Sequence, residues 1–299
     1  MTTNLTVRPP RFGMGTANLD DDGTTWLPPA QLARALLARF RAPDYRPPVL
    51  PAEAVELLAL ARQPNVAYAS ILTLLERDPL LAARVLQRAQ SAAYASRGSI
   101  QSLRDALVRL GLTTLTGIFL ETAMNLRVFR APGYEAPMAQ LQAHSAATAH
   151  ICRIVCRRTA ICDEYAFLCG LLHDVGLAAM MLSLADRPRG APLPDFEQVW
   201  PGLREAHEEA SAMLCRLWRL PPDIELALSC HHSGRLDGHL HPLGSAIALA
   251  ERLAARLGRG FRDEAQADES LLLEVLGIAP RVGLEILDEA RGALATLDA

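Results

Sequence analysis

The stretch Phe167-Leu-Cys-Gly-Leu-Leu-His173-Asp174-Val-Gly176-Leu-Ala-Ala-Met-Met-Leu-Ser183-Leu-Ala185 decides the fold class. Its only strongly polar side chains are His173, Asp174 and Ser183. The length is marginal for a membrane span, and a His-Asp pair at its centre is costly in lipid. A helix apolar on every side is the central helix of a globular core. The stretch therefore predicts one buried helix over about 164–184, with two polar groups inside that need partners.

Helix punctuation extends outward on both sides. Toward the C-terminus, helices are expected near 138–158, 201–218, 222–232, 241–257, 268–276 and 280–295. Toward the N-terminus, a short helix is expected from Pro28 to Arg41. Four prolines between Pro43 and Pro51 follow it as an extended linker. Pro51 opens a run through Ala61, Asn65 caps a helix to Arg77, and Asp78-Pro79 opens another to Ala89. Ser102-x-x-Asp105 has the form of a capping box, Gly111 ends that helix, and Thr113 starts one reaching Val128. Pro132, Gly133 and Pro137 mark the lobe boundary. Residues 1–27, with Pro9-Pro10 and the acidic run Asp20 to Asp22, read as a disordered tail. Period-2 alternation is scarce. The expected architecture is all-α: an N-terminal extension (1–48, tail plus short helix), then a two-lobed multi-helix domain (49–299) with lobes 49–130 and 131–299.

Composition agrees. Of 299 residues, 50% are hydrophobic, 21% charged and only 5% aromatic, which implies an aliphatic helical core. The formal net charge is −3, so no overall basic field draws in nucleic acid. Arg34, Arg39 and Arg41 read as a solvated face. All 30 basic residues are Arg, which removes mechanisms needing a Lys nucleophile or Schiff base. The six cysteines (152, 156, 162, 169, 215, 230) form no C-x-x-C pair and read as reduced, buried thiols of a cytoplasmic protein. The N-terminus lacks the pattern of a secretory signal.

Polar residues recur on the apolar stripes. His144 falls on the stripe Leu141, Ala147, Ile151 and Val155, whereas His150 falls off it and reads as a surface residue. His207 shares a stripe with Leu203, Ala210 and Leu214. His231 and His232 follow Ile224 and Leu228, and Glu251 lies between Ile247 and Ala254. One histidine on an apolar face is ordinarily a hydrogen-bonded core residue. The set His144, His173, Asp174, His207, His231, His232 and Glu251, spread over five helices, predicts a shared polar site. Imidazoles with carboxylates suit a divalent transition metal such as Zn, Mn, Fe or Ni. A remnant held by hydrogen bonds alone is the alternative.

The order His144, His173-Asp174, His207, His231-His232 resembles the H…HD…H…HH series of HD-superfamily metal-dependent phosphohydrolases, and most closely the HDOD group of bacterial signalling proteins. Leu72 to Leu86, with Asp78-Pro79 inside it, is similar to the I-x-x-D-P-x-L-x-x-x-L pattern of that group. Gln90-Ser91-Ala92-Ala93-Tyr94 resembles its N-S-x-x-Y, with Gln for Asn. Ser102 to Gly111 and Leu217-Trp-Arg-Leu-Pro221 match as well. The likeness covers about Leu50 to Leu257. It implies an all-helical bacterial signal-transduction module, generally regarded as non-catalytic, acting through signalling-protein partners, with a vestigial metal site.

The related HD-GYP enzymes hydrolyse cyclic di-GMP, and this chain departs from their pattern. Leu177 replaces a Lys, Ser233 replaces the Glu of HHE, and Gly234-Arg-Leu-Asp-Gly238 stands where GYP follows. Glu251 takes the place of a late Asp. Arg235 is either a replacement cation or a loop surface residue. These departures favour a non-enzyme with protein partners; the net charge and the His-Asp pair in the apolar stretch argue against nucleic acid and membrane. The alternative is a metal-dependent phosphohydrolase or phosphodiesterase for a nucleotide or cyclic dinucleotide, and a small nucleotide ligand fits either reading.

Overall fold

The computed structural model describes residues 27–48, 52–61, 63, 67–91, 100–128, 130–161, 165–186, 192–262 and 268–297. The expected tail (Leu27 apart), the Asn65 cap, Tyr94 and Cys162 lie outside them.

The protein is all-α, as its punctuation predicts. In the first lobe, α2 (Ala52–Ala61), α3 (Tyr68–Leu75) and α4 (Pro79–Ala89) pack on α5 (Leu103–Arg127). The Ser102 hydroxyl caps α5 by accepting from the Asp105 amide at 3.0 Å. The expected stop at Gly111 is a kink: its φ of 76° breaks the helical path, and the chain resumes as helix immediately.

The second lobe is built on α6 (Glu135–Arg157), which packs against α7 (Ala166–Leu172), α11 (Pro242–Arg256) and α13 (Pro280–Leu297). On its other side, α8 (Val175–Ala185) and α10 (Pro222–Leu228) pack on α9 (Phe196–Leu217), and α12 (Glu269–Val275) lies against α11. The first helix, α1 (Pro29–Arg41), docks on α9 through Leu32, Ala33, Leu36, Leu37 and Phe40. The Trp218 indole N–H donates to the Pro48 carbonyl at 2.9 Å and holds the proline-rich segment to the same lobe.

Four expectations change. The helix expected over 164–184 breaks at His173-Asp174 into α7 and α8, with Asp174 at φ −104°, ψ 15°. α9 starts at Phe196, capped by the Asp195 carboxylate, and Pro201 lies inside it at the loss of one backbone bond near the helix start. α10 ends at Leu228, so His231 and His232 stand in the turns after it. A two-stranded hairpin, β1 (Arg235–Leu236) and β2 (His239–Leu240), interrupts the helices. Asp237-Gly238, with φ of 49° and 80°, forms its two-residue turn. Two segments, Leu103–Asn125 and Ala166–Ala185, have the length and apolarity of a membrane span, and the second is 89% buried in the core.

Candidate metal centre

The break at His173-Asp174 creates the site. Leaving the helical path there sends both side chains into the space between α6, α9, α10 and α11. Glycines on either side let the backbones close around it. A Cβ at Gly170 would lie 2.7 Å from the Ala149 Cα on α6, and one at Gly176 would lie 2.5 Å from the His207 carbonyl on α9. The Gly176 amide donates to the Ser211 hydroxyl at 2.9 Å, which pins α8 to α9 beside Asp174.

All seven residues expected from the sequence meet here, each 4% exposed or less. Asp174 is the centre. Its Oδ1 faces His207 Nε2 at 3.4 Å and His231 Nε2 at 3.5 Å. Its Oδ2 faces His173 Nε2 at 3.3 Å and His144 Nε2 at 3.8 Å. Glu251 Oε1 lies 3.5 Å from His173 and 3.9 Å from His144, and its Oε2 lies 3.8 Å from His232 Nδ1. The donors form two overlapping groups, Asp174-His207-His231-His232 and His144-His173-Asp174-Glu251, each with ligand atoms within 4.8 Å of one another. Asp174 belongs to both.

The imidazole tautomers are set from outside the cluster. The Nδ1 atoms of His144, His173, His207 and His231 lie 2.8, 2.8, 2.6 and 2.7 Å from the carbonyls of Arg259, Gly170, Arg204 and Leu228. A carbonyl can only accept, so each Nδ1 carries a hydrogen and each ring turns its Nε2 inward. That arrangement needs a positive centre. His144 Nε2 and His173 Nε2 are 3.1 Å apart, and two lone pairs at that distance repel unless a proton or cation lies between them. His231 Nε2 faces a carboxylate oxygen, and neither His231 Nε2 nor Asp174 Oδ1 has a hydrogen-bond partner among the described residues, although both are buried. Backbone carbonyls orienting inward-facing imidazoles are the usual outer support of metal-binding histidines. The residues fit a divalent cation.

The electrostatics favour positive charge within the cluster. Burial acts against charge on every group here. At His173 it is outweighed by the field and hydrogen bonds of Asp174 and Glu251, which hold the imidazole pKa well above the ordinary histidine value. At Asp174 burial is outweighed by His173, His231 and His207, and the carboxyl stays well below its usual range. Glu251 is likewise held low, against burial, by His144 and His173. His207 is pushed down, chiefly by burial.

The centre is enclosed. Phe261 stacks on His144 with ring centroids 6.4 Å apart, and Trp200 and Phe196 pack on Phe261 at 5.7 and 6.4 Å. Leu177, where the resemblance would place a Lys, is buried in the α8 core. Arg235 is exposed and donates to the Gly238 carbonyl at 3.1 Å, so it belongs to the hairpin.

His150 is not a surface residue. It is buried, with Nε2 3.5 Å from Glu121 Oε2, and Arg88 donates to Glu121 Oε1 at 3.1 Å. Burial alone would raise the Glu121 pKa, but His150 and Arg88 hold it below the ordinary value. The available signal was Glu121 itself, a carboxylate between Leu120 and Ala123-Met124 in an otherwise apolar run. The five described cysteines are buried and unpaired. Burial pushes the Cys215 thiol up to about 12 and the Cys230 thiol up to about 11.

Comparison with known proteins places these observations. The HDOD domain model matches residues 48–234. No curated protein matches the chain. Among solved structures, an HDOD domain protein of unknown function from Geobacter sulfurreducens is 24% identical, with a TM-score of 0.68, 89% of this chain covered and 96% of that one. A candidate metal-dependent phosphohydrolase from Shewanella amazonensis is 18% identical, with a TM-score of 0.66 and coverage of 89% and 99%. A candidate signal transduction protein from Marinobacter aquaeolei is 21% identical, with a TM-score of 0.64 and coverage of 91% and 66%. At these identities the likeness is one of fold, and the family match over more than half of the chain establishes that it belongs to the HDOD domain family.

Proposed function

We propose that this chain is a regulatory signalling module whose second lobe is locked by a buried divalent-cation centre, and that it acts through protein partners without turning over a phosphate ester. The enclosure of the centre carries the reading: every donor is 4% exposed or less, and Phe261 lies over His144. A phosphodiester needs contact with the metal-facing donors, and a preplaced cation to offset the charge that develops. Leu177 supplies no such cation. A bound Zn, Mn, Fe or Ni ion would supply Lewis acidity and tie helices α6 to α11 together. The chain's own residues hold the imidazoles in register through four backbone carbonyls and keep water out. Exposed apolar side chains open to a partner stand on both lobes, Val108 at 71% and Tyr68 at 58% on the first and Leu284 at 59% on the second.

One observation favours a metal-dependent phosphohydrolase instead. Asp174 belongs to both donor groups, as it would if one carboxylate served two cations. Metal analysis of protein purified without chelators, with a hydrolysis assay on the same sample using cyclic di-GMP and added Mn or Ni, separates the two readings. The proposal expects bound metal and no appreciable turnover. Turnover of about 1 per second or faster, abolished by Asp174→Ala, would overturn it.

A further inference from the structure

A cleft of about 890 Å³ opens where α4 and α5 of the first lobe meet α6 of the second, outside the metal centre. Among the described residues its walls carry four arginines, Arg84, Arg88, Arg130 and Arg259, and one carboxylate, Glu121, which Arg88 engages. The chain as a whole has a formal charge of −3, so this concentration of positive charge is local. The α6 wall presents Ala139, Ala143, Ala146 and Ala147, small side chains that leave the volume open. Amide and hydroxyl groups stand between the arginines: Gln87, Gln142, Asn125 and Ser91. Two of their atoms, Asn125 Oδ1 and Ser91 Oγ, are buried and have no hydrogen-bond partner among the described residues. Buried polar groups are nearly always paired, so both side chains have a hydrogen bond to gain by rotating toward a ligand in the cleft that they line.

We propose that this interlobe cleft binds a nucleotide, its phosphates on the arginines and its base or ribose on Asn125, Ser91 and the glutamines. The volume falls in the usual range for small-molecule sites and exceeds what inorganic phosphate would fill. Guanidinium groups pair with phosphate oxygens in bidentate fashion, and Asn and Gln side chains match the donor-acceptor edges of bases. The cleft also reaches the metal centre. Arg259 lines it, and the Arg259 carbonyl accepts from His144 Nδ1 at 2.8 Å. A nucleotide drawing on Arg259 therefore changes the support of His144, and by linkage a metal bound at the centre changes nucleotide affinity. The cleft gives the regulatory module an input site, and its binding stands without any assumption about catalysis.

The test is calorimetric titration of the full chain with ATP, cyclic di-GMP and inorganic tripolyphosphate as separate probes. The expected result is binding of at least one nucleotide with Kd below about 100 μM. The double variant Arg84→Glu, Arg130→Glu, at exposed positions, should weaken it about tenfold or more, and so should Ala143→Trp, which fills the cleft. Trp218→Phe, whose side chain lines neither the cleft nor the metal centre, should keep nucleotide affinity within about threefold. Tripolyphosphate as tight as the best nucleotide would overturn the role of the amide groups. Absence of nucleotide binding below about 1 mM, or binding insensitive to both cleft variants, would overturn the site itself.

Discussion

Gly176→Ala perturbs the contact on which both the core and the candidate site depend. A Cβ at Gly176 would sit 2.5 Å from the His207 carbonyl oxygen, 2.7 Å from the Ser211 amide nitrogen and 2.8 Å from the Ala210 Cβ. Ordinary contact begins near 3.4 Å, so the shortfall against His207 is about 0.9 Å. Two of the three atoms belong to the α9 backbone and cannot swing aside, so α8 must move away from α9. Overpacking of this kind costs about 1–3 kcal/mol. The same shift stretches the 2.9 Å bond from the Gly176 amide to Ser211, worth about 1 kcal/mol. Together they predict a melting temperature lower by roughly 4–12 °C in calorimetry. Asp174 lies two residues before Gly176 and faces His207 at 3.4 Å, so metal affinity should fall as well. Gly292→Ala is the control: a Cβ there meets nothing within 4 Å, and the added helix propensity should leave stability unchanged or raise it by about 0.5–1 kcal/mol. A Gly176→Ala protein melting within about 1 °C of wild type, with unchanged metal affinity, would refute the close-approach argument.

Phe261→Ala removes the ring stacked on His144 and should cost about 3–5 kcal/mol, while chelator extraction of any bound metal becomes faster than in wild type. Unchanged extraction kinetics would mean that the aromatic cover does not control access. Glu121 sets a pH dependence. Its folded pKa is held below the unfolded value of about 4.3, so its contribution to stability is present above that pH and is lost as pH falls through the folded value. Glu121→Gln should be less stable near neutral pH, by about 1–3 kcal/mol, and should show a shallower acid limb in thermal melts at pH 3 to 7. Trp218→Phe loses the indole bond to the Pro48 carbonyl and should cost about 1 kcal/mol by urea titration, with the metal centre untouched.

Much of this molecule was legible because helix signals are local. Proline at helix starts, the Ser102 cap and the apolar stripes placed most elements, and polar residues on stripes or inside the apolar run 167–185 gathered the seven site residues. The failures had physical causes. His173-Asp174 breaks its helix because two polar groups must meet partners from four other helices, a tertiary demand that no propensity within 167–185 records. Pro201 reads as a helix start, yet α9 begins five residues earlier because the Asp195 cap and apolar burial outweigh one missing backbone bond. The hairpin did have a local signal, Asp237-Gly238, but strands of two residues are too short for alternation to show. His150 lay off the stripe of its own helix, and it is covered by Glu121 of α5 and Phe167 of α7. The cleft between the lobes could not be read from the sequence, because its arginines come from three segments, the last of them, at Arg259, more than 100 residues beyond the others.

Metal content measured by inductively coupled plasma mass spectrometry tests the central claim most directly. Wild-type protein purified without chelators should carry a divalent transition metal at about one to two ions per chain. Asp174→Ala, which removes the carboxylate common to both donor groups, should carry far less while remaining folded by circular dichroism. Wild-type protein that is metal-free after reconstitution with Zn, Mn, Fe and Ni, and whose melting temperature no added metal changes, would contradict the account and leave the histidines as a hydrogen-bonded core.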